Sequence, residues 1–172
     1  PLCDGAALEA LKLISKWLKV AFDEPRNINA RGGMLIGSCL AGVAFTKGLG
    51  LVHSISHMVG AEYNTQHGLT NAIILPAVMK FNLPHVGEKV SSISHAMDVK
   101  DASPDFISKE IEKILDYLDI PRSLSEIGIP LECKRRIAKK AMLDSATGTN
   151  PRVATIEDVE KLIEISILSA RK

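Results

Sequence analysis

Helical spacing of apolar residues recurs along the whole chain of 172 residues and constrains its fold more than any other feature. In the first segment, a set of apolar residues lies three or four positions apart, on one face of a helix: Ala7, Leu11, Ile14, Leu18 and Ala21. Aromatic residues make up only 4% of the chain, so aliphatic side chains carry most of its 46% apolar content. No segment shows the alternation typical of a strand. We therefore expect an all-α fold, a multi-helix bundle of about eight or nine helices.

Capping residues, prolines and glycines set the expected helix boundaries. The first helix should begin near Asp4 and end at Glu24, because the residue before a proline disfavours helical geometry. Thr155, followed three residues later by Asp158, predicts the start of the last helix through a capping box. The main helices between them are expected at about 29–46, 51–63, 67–81, 85–97, from 104 onward, and 130–146. We expect residues 1–172 to form a single helical domain.

Small residues form a ridge on the second predicted helix. Gly33, Gly37 and Ala41 lie four residues apart, so they share one face. Each glycine costs a helix roughly 1 kcal/mol relative to alanine. A flat ridge lets another helix approach closely, and we expect such an approach here.

Charge and cysteine usage exclude several classes of protein. The 21 basic and 20 acidic residues leave a net charge of +1, which gives no electrostatic footprint for nucleic acid or an anionic membrane. The longest largely apolar stretch, 35–45, is too short to cross a bilayer. Cys3, Cys39 and Cys133 are an odd, widely spaced set without a CxxC motif. These features favour a cytoplasmic protein without nucleic-acid or membrane partners.

Three of the five histidines lie within fifteen positions and predict a metal site. His53 and His57 are four residues apart on one helix face, and His67 begins the next apolar segment. Neutral imidazole is the commonest protein ligand for divalent transition metals, and its burial costs free energy unless it has a partner. Spacing alone does not decide which two histidines bind. A catalytic metal normally has at least three protein ligands. No third ligand is evident, since Asp98, Asp101 and Asp144 are isolated in sequence.

The histidine segment carries a resemblance to a known family. GLGLVHSISHMVGAEYNTQHG at 48–68, followed by NAIILPAVMKFN at 71–82, resembles the iron-containing (group III) alcohol dehydrogenase family. AGVAF at 41–45 and TGTNPR at 147–152 are similar to flanking segments of the same family. The resemblance is colinear over nearly the whole chain. It implies the C-terminal helical domain of a dehydroquinate synthase-like fold.

The resemblance implies a role for each histidine. His53 and His67 match metal ligands, with Fe(II) or Zn(II) as the expected cofactor. His57 matches a residue beside the nicotinamide and the substrate, so it is expected to contact the NAD(P) cofactor and assist proton movement as a catalytic residue. Family members also use an Asp-x-x-x-His pair and a glycine-rich nucleotide-binding domain, and neither pattern occurs in these 172 residues. The chain is therefore expected to be a C-terminal fragment, inactive alone, that lacks the N-terminal NAD(P)-binding domain.

The function implied by the resemblance is NAD(P)-linked interconversion of small alcohols and aldehydes by hydride transfer, in a homo-oligomer. Two alternatives stay open. One is a zinc glycerol or polyol dehydrogenase of the same superfamily. The other is a non-catalytic helical module for subunit contact, favoured by the small-residue ridge and the incomplete ligand set.

Overall fold

The computed structural model describes residues 1–169, and that part of the chain is all-helical, without strands. Its α-helices are α1 (Leu2–Asp23), α2 (Ile28–Ala44), α3 (Gly50–Tyr63), α4 (His67–Asn82), α5 (Lys89–Ala96), α6 (Pro104–Tyr117), α7 (Lys134–Ala141) and α8 (Ile156–Leu168). Short 3₁₀ turns lie at Phe45–Lys47, Leu83–His85, Ser125–Ile127, Leu131–Cys133 and Ser145–Thr149. The predicted all-α fold is confirmed, with eight α-helices among the described residues.

Local capping explains several helix starts. Thr155 and Asp158 form the predicted reciprocal capping box at the start of α8. Asn27 caps α2 by accepting a hydrogen bond from the backbone N–H of Ala30. The prediction that Asp4 is an N-cap is wrong, because α1 begins two residues earlier. Asp4 instead lies in the first turn, where a carboxylate interacts favourably with the helix dipole.

Two predicted helices are shorter than expected. α5 begins at Lys89 rather than at residue 85, because Gly87 adopts a left-handed φ of 55° that a helix cannot include. α7 covers only Lys134–Ala141 of the predicted 130–146. At its far end, Asp144 accepts a hydrogen bond from the backbone N–H of Ala146 and starts a separate 3₁₀ turn. Side-chain competition for backbone donors therefore ends the regular helix early.

By internal contacts the chain divides into two compact units, one of residues 1–48 with 86–110, the other of residues 49–85 with 111 onward. In the first unit α1 packs against the glycines of α2. A Cβ added at Gly33 would lie 2.1 Å from Cδ1 of Trp17, and one at Gly37 would lie 3.0 Å from Cγ1 of Ile14. The close helix approach predicted from the small-residue ridge is present at both glycines.

α2 also exposes several apolar side chains to solvent. Ile28 and Leu35 are 84% and 73% exposed, and Ile36 and Val43 are also exposed. By length and composition alone, the segment Ile28–Lys47 qualifies as a membrane-spanning helix, with a mean hydropathy of 1.3. Residues 35–45, the longest largely apolar stretch, form only the C-terminal part of this longer segment. Length and composition alone assign no membrane location to this segment.

The second unit contains the histidines. Its core is built from α3, α4, α7 and α8, and its fully buried side chains include Leu51, Ile55, Val59, Ile73, Ile74, Ile137 and Ile163. On α3 the core residues recur every four positions, from Leu51 through Ile55 to Val59. His53 and His57 are offset from this series by two residues, which places them on the other side of the helix.

An ion-pair cluster joins α3 to α7 in this unit. Glu62 accepts hydrogen bonds from Arg136 at 3.0 Å and from Lys140 at 2.6 Å. The side chain of Glu62 is only 16% exposed, whereas both cations are about half exposed. Its two cationic partners lower the pKa of the Glu62 carboxyl through these hydrogen bonds. The pair of contacts fixes the C-terminal end of α3 against α7.

Candidate metal centre

The three clustered histidines meet at the corner between α3 and α4. Asn64, at the end of α3, adopts a left-handed φ of 52°, and the side chain of Gln66 caps α4. α4 then begins at His67. The ring centroids lie 5.3 Å apart for His53 and His67, 5.4 Å for His57 and His67, and 5.9 Å for His53 and His57. The sharp interhelical turn therefore gathers all three predicted side chains.

Two of the rings direct their Nε2 atoms at one point. Nδ2 of Asn71 lies 3.0 Å from Nε2 of His67 and 3.4 Å from Nε2 of His53. An amide nitrogen only donates, so both Nε2 atoms are acceptors and their ring protons lie on Nδ1. This is the tautomer that binds a metal through Nε2. Two imidazoles on one tetrahedral metal, each about 2 Å from it, have centroids about 5 Å apart, which the observed 5.3 Å matches.

Further contacts help to orient the two converging rings. Oγ of Ser56 donates to the carbonyl of His53 at 3.1 Å and lies 3.4 Å from Nδ1 of His67. Because its own proton is used, Ser56 is left to accept from the Nδ1–H of His67. The backbone of Leu49 interacts with the ring of His53 and raises its pKa. Metal-binding histidines are oriented by partners of this kind.

The surroundings of His53 favour its neutral form. Burial lowers the pKa of His53, and the neighbouring rings of His67 and His57 lower it further. The interaction with the Leu49 backbone raises the pKa of His53 and opposes these effects only in part. His53 is therefore neutral at neutral pH, which is the protonation state that a metal ligand requires.

His57 differs from the other two histidines because its Nδ1 is paired with a carboxylate. Nδ1 of His57 lies 2.9 Å from Oδ2 of Asp144, a residue 87 positions away in sequence. Burial raises the pKa of Asp144, but the hydrogen bonds from His57 and from the Ala146 N–H outweigh burial and lower it. Asp144 is isolated in sequence, so this contact was not predicted. Its only sequence signal is its position three residues before the TGTNPR segment.

The ligand set that these residues form is partial. Within residues 1–169, no cluster of three or more His, Cys, Asp or Glu side chains has an arrangement that could hold a metal ion. His53 and His67 supply two nitrogen donors, and Nδ1 of His57 is occupied by Asp144. The other two histidines, His85 and His95, are exposed. The donors fit a transition metal in type and direction but do not complete its coordination.

The TGTNPR segment holds the start of α3 in place. Oδ1 of Asn150 accepts a hydrogen bond from the N–H of Leu51 at 3.2 Å, and Oγ1 of Thr149 accepts one from the N–H of Gly50 at 3.3 Å. Asn150 also exchanges two side-chain hydrogen bonds with Asn82 at the end of α4, at 2.8 and 2.9 Å. These bonds satisfy orphan donors of α3 and tie both histidine-bearing helices together.

Comparison with known proteins agrees with the sequence resemblance. The family described as "Fe-containing alcohol dehydrogenase family, C-terminal" matches residues 1–167. The chain is 38% identical over 176 aligned positions to the NAD-dependent methanol dehydrogenase of Bacillus methanolicus, covering 95% of this chain and 45% of that protein. It is 36% identical over 170 positions to the lactaldehyde reductase of Escherichia coli K12, covering 94% and 44%. The chain thus spans less than half the length of these curated relatives.

Solved structures match the fold closely. A crystal structure of 1,3-propanediol oxidoreductase superimposes with a TM-score of 0.93 at 30% identity, over 97% of this chain and 46% of that chain. The alcohol dehydrogenase from Oenococcus oeni superimposes with a TM-score of 0.90 at 30% identity, over 96% and 45%. Both the family match and these superpositions run nearly end to end along the described helices. From its sequence, its helices and its histidine corner, the chain belongs to the iron-containing alcohol dehydrogenase family and is an all-helical C-terminal domain of that family.

Proposed function

We propose that this chain is the metal-binding part of an NAD(P)-linked dehydrogenase that interconverts small alcohols and aldehydes. The observation that carries the proposal is the convergence of the Nε2 atoms of His53 and His67 on one point, at 3.4 and 3.0 Å from Nδ2 of Asn71. The relatives' names support the reaction class, since they include a methanol dehydrogenase and a lactaldehyde reductase. Both names describe oxidation or reduction between an alcohol and a carbonyl group.

In this proposal His53 and His67 hold Fe(II) or Zn(II) through Nε2. Imidazole donors suit either metal, so the donor set does not choose between them. When bound, such a metal supplies Lewis-acid polarisation of the alcohol or carbonyl oxygen. Because residues 1–169 provide no cluster of three ligand side chains, the remaining ligands come from outside them. The chain alone is then expected to be inactive.

His57 is proposed to be the catalytic residue of this part of the site and to lie against the nicotinamide. Its ring stacks on His67 at an interplanar angle of 17°, beside the proposed metal ligands. Its Nε2 is left to hold the proton of the substrate hydroxyl, since Nδ1 is paired with Asp144. NAD(P) itself would bind through a separate nucleotide-binding domain. The proposal also includes a homo-oligomer and a cytoplasmic location. The cytoplasmic location is supported by the free cysteines Cys3, Cys39 and Cys133.

The test is mutagenesis of each histidine in the protein expressed from its complete reading frame. His53→Ala and His67→Ala should lose bound metal and alcohol-dependent NAD(P)⁺ reduction together. His57→Ala should keep its metal and lose rate, by about 100-fold or more if it transfers a proton. His85→Ala, at an exposed histidine, is the matched control and should retain both properties. Full metal content in the His53 and His67 variants, or turnover by the 172-residue chain alone, would contradict the proposal.

Two alternative functions are compatible with the same structure. A zinc polyol dehydrogenase is compatible with the same imidazole donors, and it would show zinc on metal analysis together with a preference for glycerol-like substrates. A non-catalytic helical module is compatible with the absence of a three-residue ligand cluster from residues 1–169. A lack of metal affinity in the complete protein would favour that module over both enzymes.

A further inference from the structure

The contact between His57 and Asp144 uses both oxygens of the carboxylate. Oδ2 faces Nδ1 of His57 at 2.9 Å, while Oδ1 accepts a hydrogen bond from the N–H of Ala146 at 2.8 Å. The side chain of Asp144 is 14% exposed and that of His57 is 35% exposed. The backbone bond thus fixes the orientation of the carboxylate independently of the histidine. Its second oxygen is aimed at one nitrogen of the ring.

This contact decides which ring nitrogen of His57 carries the proton. A neutral imidazole has one N–H, and an ionised carboxylate can only accept a hydrogen bond. In the neutral ring of His57, Nδ1 must therefore be the protonated nitrogen, which leaves Nε2 with a free lone pair. Nε2 lies on the side of the ring away from Asp144. Only an unprotonated nitrogen can accept the proton of a hydroxyl group.

We propose that Asp144 is a positioning residue that holds His57 in the Nδ1–H tautomer, so that Nε2 serves as the proton acceptor beside the metal centre. Its consequence for turnover rests on the proposed dehydrogenase function, whereas the tautomer itself does not. The simpler view is that Asp144 only caps the turn at Ser145–Thr149. That cap needs Oδ1 alone and gives no reason for Oδ2 to lie within hydrogen-bond distance of a ring nitrogen.

Asp144→Asn distinguishes the positioning role from the capping role, because it replaces only one non-hydrogen atom of the side chain. Asparagine keeps Oδ1 for the Ala146 N–H and replaces Oδ2 by an amide nitrogen, a donor. The donor needs Nδ1 of His57 as an acceptor, so the ring should change to the Nε2–H tautomer. In the Ser–His–Asp triad the corresponding substitution keeps the geometry and lowers kcat by about 10⁴ through the wrong tautomer. In the same way, the tautomer of His57 is set by a single carboxylate.

The direct test is the tautomer of His57, read by long-range ¹H–¹⁵N correlation spectra of the complete protein labelled in histidine. The sample is treated with a chelator and held above the pH range of histidine protonation, and His57→Gln assigns the signal. We expect Nδ1–H in the wild type and Nε2–H in Asp144→Asn. An Nε2–H tautomer in the wild type, or an unchanged tautomer in the variant, would overturn the proposal.

A kinetic test adds the functional consequence. Asp144→Asn should lower kcat by about 100-fold while KM and metal content stay near wild type. Asp144→Ser is the cap control, since its Oγ can still accept from Ala146 but is too short to reach His57. The kcat of this serine variant should fall by a factor similar to that of Asp144→Asn. A wild-type kcat in the serine variant would mean that Asp144 is only a cap. If Asp144→Asn does not fold, the kcat of the serine variant and the tautomer of His57 in the wild type decide whether Asp144 positions His57.

A double-mutant cycle locates the effect at His57. In a His57→Ala background, Asp144→Asn should cause no further loss of kcat, because Asp144 acts through that ring. An additive loss would overturn the positioning role. If the wild-type protein oxidises no alcohol, the proposed function fails, while the tautomer measurement still decides this inference.

Discussion

Substitution of Gly33 by alanine should destabilise the packing of α1 on α2, whereas the same substitution at the adjacent Gly32 should not. A Cβ at Gly33 would lie 2.1 Å from Cδ1 and 2.6 Å from Cγ of Trp17. Carbon atoms in contact are normally about 3.5–4.0 Å apart, so ring or backbone must move by roughly 1.5 Å. Because Cγ is the base of the indole, the whole ring has to shift. A Cβ at Gly32 has no atom within 4 Å.

Both substitutions lie in the same helix and gain the same helix propensity. The difference between their free energies of unfolding therefore measures the steric conflict at Gly33. Alanine in place of helical glycine stabilises by about 1 kcal/mol. Overpacking of a close contact costs about 1–3 kcal/mol. Gly32→Ala should therefore be more stable than wild type by about 1 kcal/mol, and Gly33→Ala less stable than Gly32→Ala by about 1–3 kcal/mol.

The assay is urea unfolding followed by the fluorescence of Trp17, the only tryptophan in the sequence. Trp17 lies in the same compact unit as both glycines, so its signal reports on that unit. Equal m-values would show that the midpoints compare stability alone. When Trp17→Leu is added to both glycine variants, the difference between their unfolding midpoints should shrink. Unfolding of these double variants is monitored by circular dichroism. Equal midpoints for the two glycine variants with Trp17 present would refute the reasoning.

Three further predictions concern the second unit. Thr155→Ala should cost about 1 kcal/mol in urea unfolding by removing the capping box with Asp158, whereas Thr155→Ser should cost little. Glu62→Gln should cost no more than about 1 kcal/mol, because its partners on α7 are half exposed, and a loss that did not shrink in high salt would argue against an ionic origin. The lowered pKa of Asp144 stabilises the fold above about pH 4, and this stabilisation is lost as pH falls through the folded-state pKa. Asp144→Asn should flatten that acid limb of a stability–pH curve, and an unchanged limb would contradict the assignment.

Features of the fold that depend on residues close in sequence were predictable. The capping box of Thr155 and Asp158 spans three positions, and the ridge at Gly33 and Gly37 spans four. Periodicity sufficed to predict an all-helical chain because nearly every helix has an aliphatic face that must be buried. The gathering of the histidines was predictable in part, since only a short turn separates the two helices that carry them.

The contacts that the sequence did not predict are those made by tertiary packing. Asp144 reaches His57 across 87 positions, and no local pattern relates the two. Asn71 fits equally well as a helix-surface amide until the turn after α3 brings it between the rings of His53 and His67. The early end of α7 has the same origin, because helix propensity does not include the competing hydrogen bond of Asp144 to Ala146.

The residues proposed to bind the metal and the residue proposed to transfer the proton are therefore positioned by different parts of the structure. The rings of His53 and His67 are oriented by groups on or next to α3 and α4, whereas His57 is oriented by a carboxylate that follows α7. In the proposed site, two donors held in this way are already oriented before a cation binds. This lowers the ordering cost of binding the cation. It follows that changes at Asp144 should alter rate while metal content stays constant. Changes to the turn between α3 and α4 should alter both, because they displace the donors themselves.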